Sequence, residues 1–196
     1  MQPARGRASL AAFMLTLCPA TELAHLREDY LAIERLLARD PEELERKAQH
    51  VSGWSAVQHL AHLCLANELV VRNVKSLLKG FGPLVQDATE PAPEALAVLQ
   101  SGRFPRGAAQ SPRMVRPPEV VQREFLVQWV AEGQVEFAAL AEQDAAILRA
   151  QLCIAHQVLG PLNAARWVRF AAMHTRHHLD IAREVLAAFG AAARAD

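Results

Sequence analysis

The chain has 196 residues, of which 52% are apolar and 21% charged, which excludes a disordered chain and suffices for one globular domain. Basic and acidic side chains balance at 21 each, so no basic excess indicates a nucleic-acid partner. No apolar run is long enough to span a membrane. Helix-forming residues dominate and strand-type alternation is scarce, which favours an all-α protein.

The N-terminus, residues 1–20, has two interpretations. Arg5 and Arg7 precede a short apolar run, as in a signal peptide, but the run is shorter than such leaders usually have. We therefore expect a disordered start and a cytoplasmic protein, while an exported protein with a short signal peptide stays open. A single domain is expected over residues 21–190, followed by a frayed tail at 191–196.

The first half of the domain predicts two long helices and one short helix. Thr21 is a candidate cap for a helix, and Asp40 with Pro41 opens a short second helix through about Ala48. Ser55, with Gln58 three residues on, forms a capping-box pattern for a long helix ending at Lys79–Gly80. The seam expected in the first helix is Leu23, Leu26, Tyr30, Ile33 and Leu37.

Residues 80–118 are the least regular part, because six of the eleven prolines lie between Pro91 and Pro118. A short helix is expected around Glu94 to Leu99. Four arginines follow without an acid: Arg103, Arg106, Arg113 and Arg116. A solvated loop is the simpler interpretation. The functional alternative is a lid whose arginines bind an anionic substrate.

The second half predicts two more long helices. Pro117-Pro118-Glu119 is expected to open one of them, and Asn163 to cap the last, which ends at Phe189–Gly190. The interval from Ala145 to Leu159 is ambiguous. The seam expected in the third long helix is Val121, Phe125, Gln128 or Trp129, Glu132, Val135 or Glu136, Ala139 and Leu140. Four long helices predict a four-helix bundle with a long loop between the second and third.

Histidines in the last long helix indicate a metal site. His174 and His178 are four residues apart, so their rings lie one turn apart on an otherwise apolar face, and together they can bind one ion. The third ligand expected is His62 on the second long helix, since His59 lies nearer the helix end and the solvent. Three imidazoles leave a position open for chemistry, and Zn²⁺ or Ni²⁺ is favoured over Fe²⁺ or Mn²⁺.

The pattern His-x-x-x-His is common in helices, so ordinary core or rim histidines are the alternative. Other chemistries have less support. A serine hydrolase would need G-x-S-x-G, and Ser55 is better explained as a helix cap. Cys64 lies in a helical apolar run and is expected to be a core residue.

Three motifs in order resemble the DinB/YfiT-like metal-binding four-helix bundles, over about residues 21 to 189. The run from Trp54-Ser55 to His62-Leu63 is similar to their W-s-x-x-x-x-x-x-H-L signature, and His174 to His178 to their H-x-x-x-H. The run from His156 to Leu162, followed by Trp167, is similar to H-P-x-F-G-x-L…W of an uncharacterised branch.

The resemblance implies an up-down-down-up bundle, usually dimeric, with a metal on His62, His174 and His178. Some relatives transfer or isomerise with small thiols, so the implied activity is that of a metal-dependent transferase or hydrolase. Its nucleophile would be a low-molecular-weight thiol or water, acting on a small-molecule substrate. A Gln often found in the family three residues after the last ligand is Ile181 here. This departure favours the first alternative, a non-catalytic metal-stabilised dimer or sensor. The second alternative is a metal-free helical interaction module, in which the histidines are ordinary core or rim residues.

Overall fold

Helices dominate the computed structural model, which describes residues 17–107 and 110–192. The helices are α1 (Pro19–Leu37), α2 (Pro41–Glu45), α3 (Ala56–Lys79), α4 (Pro93–Ser101), α5 (Arg123–Ala141), α6 (Asp144–Arg149) and α7 (Ala164–Ala192). Two short antiparallel strands, β1 (Ile154–His156) and β2 (Gly160–Leu162), form a hairpin. The all-α class is confirmed with this one small exception. Within the described ranges, no helix combines the length and apolarity that a membrane crossing needs.

The four long helices α1, α3, α5 and α7 contact one another in a closed ring. α3 packs against α7 and α5, and α1 packs against the same two helices from the other side. The expectation of four long helices is confirmed, and their up-down-down-up order stays a prediction. The connection between α3 and α5 is long, as expected, and contains α4 and a 3-10 turn at Arg113–Val115. The predicted α1 seam is buried throughout.

The start of α3 is fixed by its own side chains. Ser55 accepts a hydrogen bond from the Gln58 amide, and the Gln58 side chain accepts one from the Ser55 amide, so the capping box is confirmed. At the other end Gly80 adopts the left-handed conformation with a φ of 74°, which residues with a Cβ adopt at a cost. These two ends fix the register of α3.

Several predicted helix ends were wrong by a few residues. α1 begins at Pro19 rather than Thr21, because a proline in the first helical position needs no hydrogen-bond partner for its nitrogen. α2 stops at Glu45, and α7 continues to Ala192. Residues 1–16 and 193–196, which include most of the N-terminal segment expected to be disordered or leader-like and the end of the expected frayed tail, lie outside the described residues.

The predicted start of α5 at Pro117-Pro118-Glu119 was also wrong, since the helix begins at Arg123. The backbone carbonyls of Pro118 and Glu119 accept hydrogen bonds from the side-chain amide of Gln58, which holds this segment against the start of α3. Arg123 in turn donates to the carbonyl of Leu37, which satisfies a free acceptor at the end of α1.

The buried face of α5 differs from the predicted seam. Phe125 and Val135 are exposed, at 53% and 69%. The residues that face the core follow a regular 4-3-4-3 spacing that passes through a glycine: Leu126, Val130, Gly133, Phe137 and Leu140. Leu140 alone was in the predicted set. The glycine interrupts the apolar pattern, which explains why the sequence favoured the wrong face.

We expect Gly133→Ala to destabilise the protein by about 2 kcal/mol. The new Cβ would lie 2.5 Å from the ring and the hydroxyl of Tyr30, which is 1% exposed and held edge-on against Phe137. Overpacking of this kind costs roughly 1–3 kcal/mol, here at the upper end, whereas alanine gains only about 1 kcal/mol in helix propensity. Urea denaturation measures the difference in the free energy of unfolding.

Gly53→Ala is the matched control for this substitution. Nothing lies within 4 Å of a Cβ built at Gly53, so its stability should stay within about 0.5 kcal/mol of the wild type. A Gly133→Ala protein as stable as the Gly53→Ala protein would contradict the close packing of Tyr30 against α5.

Candidate metal centre

The packing of α3 against α7 places His62 opposite His174 and His178. One nitrogen from each of the three rings lies within 4.8 Å of the others. The ring centroids form a nearly equilateral triangle with sides of 4.5, 4.6 and 4.9 Å. The structure therefore brings together the three residues that the sequence analysis selected.

A backbone carbonyl determines which nitrogen of His62 is free. His62 Nδ1 lies 2.7 Å from the carbonyl oxygen of Val115, so Nδ1 carries the hydrogen and donates it. The lone pair of His62 is then on Nε2, which lies 3.2 Å from His174 Nε2. Two imidazole nitrogens that share one ion at ordinary bond lengths are about 2.9–3.4 Å apart, so this pair has suitable spacing.

His174 shows that protein groups alone do not satisfy the cluster. Its Nδ1 is buried and has no hydrogen-bond partner among the described residues. Buried polar atoms in native proteins are almost always paired, so this nitrogen is an exception. An ion bound at His174 Nε2 would not reach Nδ1, so the fit of the three residues to a cation rests on their converging ring nitrogens and the neutral donor set.

The environment keeps these imidazoles neutral, which is the form that binds metal. Burial is the largest cause that lowers the pKa of His62, His174 and His178, and the neighbouring histidines lower it further. For His62 the hydrogen bond to Val115 acts in the opposite direction.

The segment between α4 and α5 covers the cluster. It contributes the Val115 carbonyl to His62, and Ser111 Oγ lies 3.4 Å from the same His62 nitrogen. Phe104 contributes a ring whose centroid is 6.4 Å from that of His174. The same segment is anchored to α3 through Gln58, as described above. The position of this segment agrees with the lid that the sequence analysis left as an alternative, and the binding of an anionic substrate by the lid stays a prediction.

Aromatic rings surround the histidines. The Phe170 ring stacks on His174 at a centroid distance of 5.1 Å, and the Trp54 ring lies 5.1 Å from His62. Trp167 instead is a packing residue, because it is buried and its indole donates to the carbonyl of Ile154. These rings give the cluster apolar walls.

Comparison with known families identifies the chain. A model of the DinB superfamily matches residues 22–182. The chain belongs to the DinB superfamily. No curated protein and no solved structure gave a match. The resemblance to the DinB superfamily is thereby confirmed, and the matched range includes all three histidines of the cluster. Membership of the uncharacterised branch stays a prediction.

His59 is the residue of this DinB-superfamily site that the sequence analysis misjudged. We expected it near the solvent, whereas it is 3% exposed, with its Nδ1 3.0 Å from His178 Nδ1 and its Nε2 2.9 Å from Ser52 Oγ. One signal was available, since His59 and His62 are three residues apart and therefore share a helix face.

The four arginines proposed for substrate binding are exposed on the covering segment. Arg106 forms an ion pair of 2.5 Å with Glu184 on α7, and its charge helps to lower the pKa of His59 and His177. It is thus the arginine that the structure places at the edge of the cluster. A role in substrate binding stays a prediction for Arg103, Arg106, Arg113 and Arg116.

Two other positions bear on the family comparison. Ile181 is 8% exposed and belongs to the apolar core, so this chain has no amide at that position of α7. His156 accepts backbone hydrogen bonds at Nδ1 from Val158 and Leu159, which stabilises the turn between β1 and β2.

Cys64 is buried, and burial raises the pKa of its thiol to about 12, as expected for a core residue.

We expect the metal-free protein to lose stability as the pH falls below about 6.5. Burial lowers the pKa of His59 to about 3 and of His156 to about 4, so these rings stay neutral when folded and gain protons when unfolded. The unfolded chain then binds more protons, and each such histidine removes up to about 1.4 kcal/mol per pH unit. The stability that the neutral histidines contribute is fully present above the pKa of histidine in the unfolded chain. It is lost as the pH falls from there towards the lowered pKa values of the folded protein.

Urea denaturation in the presence of a chelator, repeated between pH 7 and pH 5, measures this dependence. The chelator keeps the imidazoles free of metal, so that protons alone are responsible. Equal free energies of unfolding across the interval would contradict the buried neutral state of the histidines.

Proposed function

We propose that this DinB-superfamily protein is a metal-dependent enzyme whose divalent ion is held by His62, His174 and His178. The observation that carries the proposal is the convergence of three ring nitrogens from two helices within 4.8 Å. Zn²⁺ and Ni²⁺ are the preferred ions on the order of affinities, and imidazole also accepts Fe²⁺ and Mn²⁺. Three protein ligands leave a coordination position open, as in catalytic sites.

The proposed reaction joins a small thiol, or water, to a small electrophile. When bound, a divalent ion supplies Lewis acidity that lowers the pKa of the nucleophile. The protein would contribute the surroundings: the rings of Trp54, Phe104 and Phe170 exclude water, and the Val115 carbonyl holds His62 in one tautomer. Arg106, which is paired with Glu184 at the edge of the cluster, would attract an anionic group of the substrate.

The test begins with elemental analysis of freshly purified protein, which should find about one ion per chain. A conjugation assay then follows loss of a small thiol in the presence of an electrophile such as a haloalkane or an epoxide. We expect turnover with the metal-loaded protein and none after the metal is removed. A metal-free protein that cannot be loaded would contradict the proposal.

A non-catalytic metal-stabilised protein is the second candidate, and Ile181 favours it. An apolar side chain at this position cannot orient a water or a substrate by hydrogen bonds. This candidate predicts bound metal without thiol conjugation or hydrolysis. A metal-free interaction module predicts neither. The homodimer, the thiol partner and the cytoplasmic location stay predictions.

A further inference from the structure

A hydrogen-bonded chain leads from the metal centre into the loop before α3. His178 Nδ1 lies 3.0 Å from His59 Nδ1, and His59 Nε2 lies 2.9 Å from Ser52 Oγ. Ser52 Oγ also accepts a hydrogen bond of 3.1 Å from the Trp54 backbone amide. The His59 ring, the Ser52 hydroxyl and the Trp54 backbone amide are thus linked in series to His178, one of the three clustered histidines.

Only one placement of the ring hydrogens is compatible with both this series of hydrogen bonds and a metal bound to His178. Since His178 Nδ1 faces His59, the nitrogen of His178 available to an ion is Nε2. A neutral His178 that binds through Nε2 carries its hydrogen on Nδ1 and donates it to His59 Nδ1. His59 must then carry its own hydrogen on Nε2, which donates to Ser52 Oγ. Each link has one donor and one acceptor.

His59 is held in place from both sides. It is 3% exposed, so no water competes for its nitrogens, and the Trp54 ring packs edge-on against it with the centroids 5.4 Å apart. Both of its nitrogens are already engaged, which leaves no lone pair for an ion. Its place is therefore behind His178 rather than among the ligands.

We propose that His59 is a positioning residue of the metal centre, which fixes the tautomer and ring orientation of His178 through the Nδ1–Nδ1 hydrogen bond and is itself fixed by Ser52. This inference rests on the proposed function, because it assumes that His178 binds metal. Groups that orient metal-binding histidines typically account for 10–100-fold in metal affinity.

The experiment compares Co²⁺ and Zn²⁺ binding by the wild type with that of His59→Leu, His59→Asn and Ser52→Ala. Asparagine places an amide oxygen near the position of Nδ1 and can still accept from His178, whereas leucine cannot. We expect about 10–100-fold weaker binding and an altered Co²⁺ absorption spectrum for His59→Leu. His59→Asn should restore most of both, and Ser52→Ala should weaken binding by a smaller factor.

The outcomes separate the two proposals. If the wild type binds neither ion, the proposed function fails and this inference fails with it. If the wild type binds and His59→Leu binds equally well with the same spectrum, this inference alone is overturned. If neither asparagine nor leucine permits binding, His59 acts through its ring and not by accepting from His178, which also overturns it. If His59→Leu does not fold, the His59→Asn and Ser52→Ala proteins still test the inference. Lost metal affinity in His59→Asn, together with unchanged affinity and spectrum in Ser52→Ala, would contradict the hydrogen-bonded series from His178 to Ser52.

Discussion

His174→Ala should abolish metal retention, with a loss of affinity greater than about 100-fold. The ring of His174 is one corner of the histidine triangle, with its Nε2 3.2 Å from His62 Nε2 and its face stacked on Phe170. Residues that merely orient a ligand cost 10–100-fold when removed, so loss of a ligand should cost more. His62→Ala should have the same effect. Elemental analysis after gel filtration measures the metal that each variant keeps.

His177→Ala is the matched control. His177 neighbours His178 on α7 and is also half-buried, but it is outside the group of three nitrogens that converge. This variant should keep about one ion per chain. Circular dichroism should show the same helix content for all three proteins, since only one side chain is shortened in each. Full metal content in both His174→Ala and His62→Ala would show that the ligands are wrongly assigned.

Removal of the metal should lower the melting temperature by about 10 °C. An ion that binds only the folded state at a concentration 1,000 times its dissociation constant stabilises by about 4 kcal/mol. For a chain of this size, about 1 kcal/mol corresponds to 2–4 °C. The physical reason is local: without an ion, the buried ring nitrogens of His62 and His174 face each other at 3.2 Å with no cation between them. Thermal denaturation with and without a chelator measures the shift.

The His174→Ala protein is the control for this second experiment, because it should melt at the same temperature with and without chelator. A shift of equal size in the variant would mean that the chelator acts elsewhere. Equal melting temperatures of the wild type in both conditions, with no metal in the purified protein, would favour the metal-free interaction module.

Much of the site could be predicted from the sequence because helices translate spacing directly into direction. His174 and His178 had to share a face of α7, and Ser55 with Gln58 had to begin α3 where they do. The Val115 carbonyl on His62 could not be predicted, since no sequence pattern marks a backbone acceptor in a proline-rich loop. The same holds for the link from His59 to His178, which joins residues 119 positions apart.

The errors of the sequence analysis have a common cause. The predicted face of α5 followed large apolar residues such as Phe125 and Val135, although the buried face passes through Gly133. The half-buried Gly133 reflects the size of the side chain opposite, here Tyr30 of α1, and periodicity along α5 carries no information about that neighbour. His59 was judged exposed for a similar reason, because its distance from the helix end said nothing about the loop packed over it.

The sequence by itself determined that the chain has four long helices, which histidines share a helix face, and that the chain resembles the DinB superfamily, because these depend on short-range spacing and motif order. Tertiary structure alone decided which helices face each other, which nitrogen of each imidazole is free, and which second residue supports His178. Those properties depend on contacts between distant parts of the chain, where burial and a single hydrogen bond of about 3 Å fix the chemistry. Residue spacing determines which face of a helix an imidazole occupies, but the partner of that imidazole depends on the helix packed against it.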